Sequence, residues 1–472
     1  MLNLENHTIH DLQKAMQDNQ LTSRQLTLHY LSRIAQYDKC EGGLNSVLEI
    51  NPDALVIADT LDEMRANGNV LSPLHGIPVL IKDNISTADK MRTSAGSLAL
   101  LDNYALEDAP IVKKLREAGA LILGKTNLTE FSNYMTNNMP NGYSSRGGQT
   151  YNPYDKTKDP SGSSTGSAVA VSANLCAIAI GTETCGSIVS PAQENGIVGI
   201  KPTARLWSNH GIIPISFTFD TAGPMAKTVT DAAILLEALS NEDKRVEYSK
   251  YLDKNALKGA RIGIRRASTE WHNEERRAEF NSFEDNIIGI LNENGAICVD
   301  LPEYLPQIHT ERSVIMNSEL KCGINSYLLK YGNKNAPKNL QEIVLFNQNH
   351  ANATLKYEQS HLLNCQNNAS GNLTEPEYIN AILKREEVIR EFDEFFDKHN
   401  VDVIFDFAGT GISAFTGFPS MSIPIGMKKD GVPAGSIWMA RRFDEKSLLR
   451  VTYAVEQLLN ARKDPLVTSA SG

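Results

Sequence analysis

The chain has 472 residues, with 46 Lys and Arg against 56 Asp and Glu for a net charge of −10. That balance speaks against a nucleic-acid groove, where phosphates are met by clustered basic side chains; Arg276-Arg277 and Arg441-Arg442 are isolated pairs that read as solvated faces. An apolar share of 41% and a charged share of 22% fit a globular protein able to bury a large core, a catalytic lysine included.

The amino terminus, MLNLENHTIHDLQKAM, lacks the basic-then-apolar pattern of a signal peptide. No apolar run approaches the roughly 20 residues of a membrane span. Cys40, Cys176, Cys185, Cys298, Cys322 and Cys365 are scattered without a CxxC pair. They read as free thiols in a reducing compartment and as neither a zinc site nor a disulfide framework, so cytoplasm is the expected location.

In chain order, Thr8-Ile9-His10-Asp11 is a capping-box pattern opening a first helix with Ile9, Leu12 and Met16 on one face. Thr22-x-x-Gln25 opens a second, with Leu26, Tyr30, Ile34 and Tyr37 at helical spacing. Ile77 to Ile81 is an unbroken apolar run, typical of a strand buried on both faces, and Lys82 ends it. Leu121 to Leu123 is a further strand, and Asn127-x-x-Glu130 predicts a helix start behind it.

Residues 133–161 are rich in Asn, Gly, Pro and Ser and have no periodicity, and so long a loop inside a compact domain is usually functional. Ala168 to Leu175 predicts a small-residue helix packed closely on its neighbour, and Ala177 to Ile180 a buried strand. Beyond residue 240 the predicted strands Ala260–Ile264 and Ala296–Leu301 alternate with long polar helices, and 372–399 is strongly helical. Strand patterns return at Val401–Phe405, Met421–Pro424 and Ser436–Met439. Asp444 then caps a last helix carrying Leu448, Val451, Val455 and Leu458. Strands at both ends with helices between them predict one α/β domain with a mostly helical insertion.

The chemistry gathers between Asp159 and Ala192, where two glycine-serine clusters place Ser163 and Ser187 twenty-four positions apart. A serine hydroxyl attacks a carbonyl only when a base takes its proton. Lysine serves as that base only when neutral, and lowering its pKa from about 10.4 to about 7 costs roughly 4.6 kcal/mol. Burial and like-charge neighbours reach that magnitude. A lysine closing five apolar residues is placed for desolvation; the same spacing also fits a structural ion pair of Lys82 with Asp83 or another acid. Gly181 to Ser187 forms a tight turn after a strand, and its successive N–H groups could cradle an oxyanion or serve an ordinary Gly-Ser turn.

HGIPVLIKDN, GKTNLTEF, RGGQTYNPYDKTKDPSGSSTGS, AIGTETCGSIVSPAQENGIVGIKPT and GIIPISFTFDTAGPM resemble, in order, the conserved blocks of the amidase signature family. The resemblance extends over the amino-terminal helices and the segment from GFPSMSIPIG to RRFDEKSLLRVTYAVEQ, so it spans nearly the whole chain. Within the family, the blocks look most like those of bacterial peptide amidases and related amidases. The implied fold is a mixed, mostly buried β-sheet sandwiched by helices. It divides into a helical part at 1–70, a catalytic core at 71–235, a helical insertion at 240–400 and a return to the core sheet at 401–472.

The resemblance implies a triad of Lys82 as base, Ser163 in a cis peptide bond as bridge and Ser187 as nucleophile. Backbone N–H groups of Thr184, Cys185, Gly186 and Ser187 would hold the oxyanion. The implied activity is hydrolysis of a linear amide through a seryl acyl-enzyme, on a small-molecule or peptide amide, without metal or cofactor. Two other readings are an A subunit of a glutamyl-tRNA amidotransferase and a non-catalytic binding protein on the same fold.

Three positions depart from the family. Cys185 stands where glycine or aspartate is usual, Ser161 replaces a common glycine, and Phe405-Asp406-Phe407 replaces an Ala-Pro-Thr-like stretch. Gly162-Ser163-Ser164-Thr165-Gly166 also has the form G-x-S-x-G, which would make Ser164 the nucleophile of an α/β-hydrolase elbow. That elbow must follow a strand, and YDKTKDPS precedes it instead.

Overall fold

The computed structural model describes residues 4, 7–240, 246–266, 274–302, 308–407 and 409–467. Its strands are β1 (Val47–Ile50), β2 (Pro78–Lys82), β3 (Leu121–Thr126), β4 (Tyr143–Ser144), β5 (Gly148–Gln149), β6 (Ile178–Glu183) and β7 (Val198–Lys201). They continue with β8 (Thr221–Ala226), β9 (Arg261–Arg265), β10 (Ile297–Asp300), β11 (Val403–Asp406), β12 (Ser420–Met427) and β13 (Pro433–Ala440). Eleven of them join one sheet in the order β1-β3-β2-β6-β8-β7-β12-β13-β11-β9-β10, and β4 and β5 make a small hairpin. Parallel pairs sit at β3-β2-β6 and at β11-β9-β10. The strands between them run antiparallel, so the sheet is mixed.

The apolar runs predicted as strands at β2, β3 and β6 are buried throughout, and every residue of β7 and β8 is inside as well. Each fully buried Leu, Ile or Phe stabilises the fold by about 1.5–3 kcal/mol. Helix Thr165–Ser172 lies against β6 and β2, Val229–Leu239 against β8, and Glu445–Leu459 against β12 and β13. Thr165–Ser172 is buried on all sides. Its small residues allow that approach: a Cβ on Gly166 would collide with the carbonyl oxygens of Asn127 and Ser46.

Both amino-terminal capping boxes form, at Thr8 with Asp11 and at Thr22 with Gln25, and Asp444 caps the last helix through the Ser447 N–H. The helix expected at Ala168–Leu175 lies earlier, at Thr165–Ser172, because Asn174 turns left-handed (φ +56°) and ends it. The helix start expected at Asn127-x-x-Glu130 yields only Glu130–Asn133, with Phe131 and Ser132 at left-handed angles. Asn127 cannot cap, since its side chain is taken up by the neighbouring loop: it donates to Thr150 Oγ1 at 2.9 Å and accepts from Ser144 Oγ at 2.7 Å.

The two strands expected within 240–400 form as β9 and β10 and complete one edge of the central sheet. Helices His309–Tyr331 and Pro376–His399 of the same segment pack together. A second apolar core, including Ile315, Leu320 and Phe392, joins them to Val189, Ile213 and Phe219 beside the glycine-serine turn. Among the described residues all six cysteines are free thiols, and no helix is long and apolar enough to cross a membrane.

Candidate active site

β2 delivers Lys82 to the centre of the molecule, where its side chain is fully buried. Lys82 Nζ lies 2.8 Å from Ser163 Oγ, 3.1 Å from Ser164 Oγ and 3.2 Å from the Thr182 carbonyl. Burial lowers its pKa to about 7, against the opposing pull of the Asp220 and Glu183 carboxylates. Asp83 is not its partner. Arg146 pairs with Asp83 at 3.2 Å, and Ser94 and the Gly96 N–H also bond to that carboxylate. Among the described residues no carboxylate pairs with Lys82, and the amine meets two hydroxyls and a carbonyl oxygen.

Ser163 follows the cis peptide bond Gly162–Ser163 and is buried. Ser164 is equally buried, and its hydroxyl donates to the Thr182 carbonyl at 2.9 Å and accepts from the Thr182 N–H at 3.1 Å. A hydroxyl held twice by one strand residue is a structural bridge, and no strand precedes it, so the elbow reading of Ser164 fails. The Ser164 N–H also donates to the Ser187 carbonyl at 3.1 Å, tying the two glycine-serine clusters together.

Ser187 sits in the turn between β6 and helix Val189–Glu194, with 8% of its surface exposed. Gly186 makes that turn with φ +82°, a conformation that costs glycine little. Two carboxylates that the sequence reading did not single out hold the turn. Glu183 Oε2 accepts from the N–H groups of Ile188 at 2.8 Å and Val189 at 3.1 Å, fixing the backbone just beyond the serine. Asp220 accepts from the Thr184 hydroxyl and from the N–H groups of Ile215 and Ser216 at 2.9 and 3.0 Å. Burial pushes the Asp220 pKa up to about 7, although those hydrogen bonds favour its charged form. Only geometry reveals both, because a carboxylate's task depends on what folds against it.

The departures from the family have structural correlates. Ser161 adopts φ +59°, the left-handed region in which glycine is least penalised, which accounts for the glycine common there. Asp406 pairs with Arg265 at 2.8 Å at the end of β11. Cys185 Sγ accepts from Arg312 Nη1 at 3.3 Å, a contact with helix His309–Tyr331. Among the described residues, no three His, Cys, Asp or Glu side chains gather as a metal site.

A buried lysine against serine hydroxyls, beside a glycine-serine turn under a mixed sheet, is an arrangement suited to amide hydrolysis through a serine. The Amidase family model matches residues 25–406. Peptide amidase from Stenotrophomonas maltophilia is a structural neighbour with TM-score 0.92 and 38% identity, covering 99% of this chain and 100% of that one. A "probable amidase" of Arabidopsis thaliana is 35% identical over 98% of this chain and 92% of the relative. The A subunit of glutamyl-tRNA(Gln) amidotransferase from Alkaliphilus metalliredigens is 31% identical, over 98% of each chain. The chain belongs to the amidase family, and it is an enzyme that hydrolyses amides.

Proposed function

We propose that this amidase hydrolyses carboxamides, peptide carboxy-terminal amides among them, through an acyl-enzyme on Ser187. The observation that carries the chemistry is the carboxylate-free contact of Lys82 Nζ with Ser163 Oγ at 2.8 Å inside a fully buried site. Neutral Lys82 takes a proton from Ser163 as Ser163 takes one from Ser187, whose oxygen attacks the amide carbon. The N–H groups of Thr184, Cys185, Gly186 and Ser187 receive the negative oxygen. When the tetrahedral species collapses, Ser163 returns the proton to the leaving nitrogen and the C–N bond breaks. Water, deprotonated along the same path, then releases the acid.

On this reading residues 71–235 carry the chemistry, and the helices between 309 and 399 shape the acyl pocket. The similarity to a peptide amidase at 38% identity favours stand-alone hydrolysis of peptide amides over a transferase subunit. Two measurements test it. A fluorophosphonate should label Ser187, and ammonia should be released from peptide carboxamides faster than from acetamide or aryl amides. An inert Ser187 in folded protein would favour a binding protein, and amidation of tRNA that depends on a copurifying subunit would favour the transferase.

A further inference from the structure

Helix His309–Tyr331 sends one basic side chain to the nucleophile turn. Arg312 Nη1 donates to Cys185 Sγ at 3.3 Å, and Nη2 lies 2.9 Å from His309 Nδ1. Sulfur is a weak acceptor and the accepting imidazole nitrogen is uncharged, whereas the guanidinium stays cationic and offers five N–H groups. Among the described residues no carboxylate forms an ion pair with Arg312.

Several part-buried arginines in this fold are ion-paired, while Arg65, like Arg312, meets only uncharged groups, the Gln13 side chain and the His75 carbonyl. Arg146 meets Asp83 and Glu49, Arg265 meets Asp406, and Arg116 meets Asp89 and Asp108. A part-buried guanidinium with only uncharged partners among the described residues can offer an incoming anion charge-assisted hydrogen bonds. There is also room beside it among the described residues: on the Gly411 side a Cβ would stand 3.7 Å from Nη1, with no other described atom from outside Gly411's own helix within 4 Å.

The reach can be bounded. Cys185 and Ser187 are two residues apart, so their Cα atoms are separated by at most about 7 Å. Adding the Cα-to-Sγ length of about 3 Å and the 3.3 Å sulfur contact puts Nη1 at most about 13 Å from the Ser187 Cα. Within that limit an acidic side chain on the carboxy-terminal or penultimate residue of a peptide amide comes into range.

We propose that Arg312 is a specificity-determining residue that binds a carboxylate on the acyl part of the substrate, directing the enzyme to carboxamides of acidic peptides. The inference deepens the carboxamide reading and rests on it. The test compares kcat/KM for matched amino-blocked dipeptide amides carrying glutamate or glutamine, placed in turn at each of the two positions. The wild-type protein should favour the glutamate member at one position by about tenfold or more, chiefly through KM, as a charge-assisted hydrogen bond allows.

Arg312→Gln should erase that ratio, and Arg312→Lys should keep part of it. A ratio near one in the wild type, or one unchanged in Arg312→Gln, would overturn the inference. So would an equal loss of kcat on both peptides, which would make the arginine a structural tether between helix and turn. In each of these cases turnover of the glutamine peptides leaves the carboxamide reading intact. Failure of every carboxamide with Ser187 still reactive would instead remove that reading, and this inference with it.

Discussion

Two buried lysines stand on neighbouring strands and have different surroundings. Lys82 closes β2 and Lys125 lies on β3, one step out of register in the parallel pair, where Ile81 faces Lys125 and Lys82 faces Thr126. Both are fully buried, and burial lowers both pKa values, to about 7 for Lys82 and about 8 for Lys125. Lys125 Nζ, however, donates to the Ile85 carbonyl at 2.5 Å and Thr93 Oγ1 at 3.1 Å, among groups that include Asp83 and Arg146. Lys82 faces Ser163 and Ser164, and Ser164 is already held by Thr182. Desolvation brings a lysine into the range where it can be neutral. On the proposed mechanism, a reactive hydroxyl within reach is what lets it act as a base.

That contrast can be broken by exchange. Lys82→Met should lower kcat by roughly 10³–10⁴-fold, the scale of a lost general base. Lys125→Met should change it by less than about threefold, the effect expected of a site remote from the proton path. Steady-state rates of ammonia release on folded variants decide this, and equal losses would mean that burial alone had been mistaken for function.

The two serines under Lys82 divide in the same way. Ser163→Ala should cost about 10²–10³-fold and Ser164→Ala about tenfold or less. A larger loss for Ser164→Ala would move the proton path onto the hydroxyl that Thr182 holds.

The pH profile sharpens the contrast further. Lys82 acts only without its proton, so kcat/KM should climb about tenfold per pH unit below the value near 7 and level off above it. A flat profile from pH 5 to 9 would remove Lys82 as the base. A modest effect is expected at Asp220→Asn, which keeps an acceptor for Thr184 but loses the charge. It should reduce kcat by about tenfold or less while leaving KM nearly unchanged, a split that measures how firmly Asp220 positions the turn.

How much of this was legible in the sequence depended on how local the signal was. Lys82 could be found because an apolar strand ended in it, and the glycine-serine clusters marked Ser163 and Ser187 directly. β8 was missed because Gly223-Pro224 reads as a turn, although the strand is central and pairs with β6 and β7. Glu183 and Asp220 carried no pattern, since each acts on backbone or hydroxyl groups that only folding brings to it. Asn127 misled because a capping signature records what a side chain could bond, and the loop at 142–150 had claimed it. Arg312 lies 127 positions from Cys185, beyond the reach of any local pattern.

Burying lysines has a thermodynamic consequence apart from catalysis. Lys82 at about 7 and Lys125, Lys201 and Lys227 at about 8 all keep their protons in an unfolded chain until near pH 10.4. Between pH 8 and 9 the unfolded chain therefore binds more protons at these four sites than the folded one, and folding expels them into the buffer. Through these groups, stability rises with pH across that window. The heat of folding there should also vary with the ionisation enthalpy of the buffer chosen.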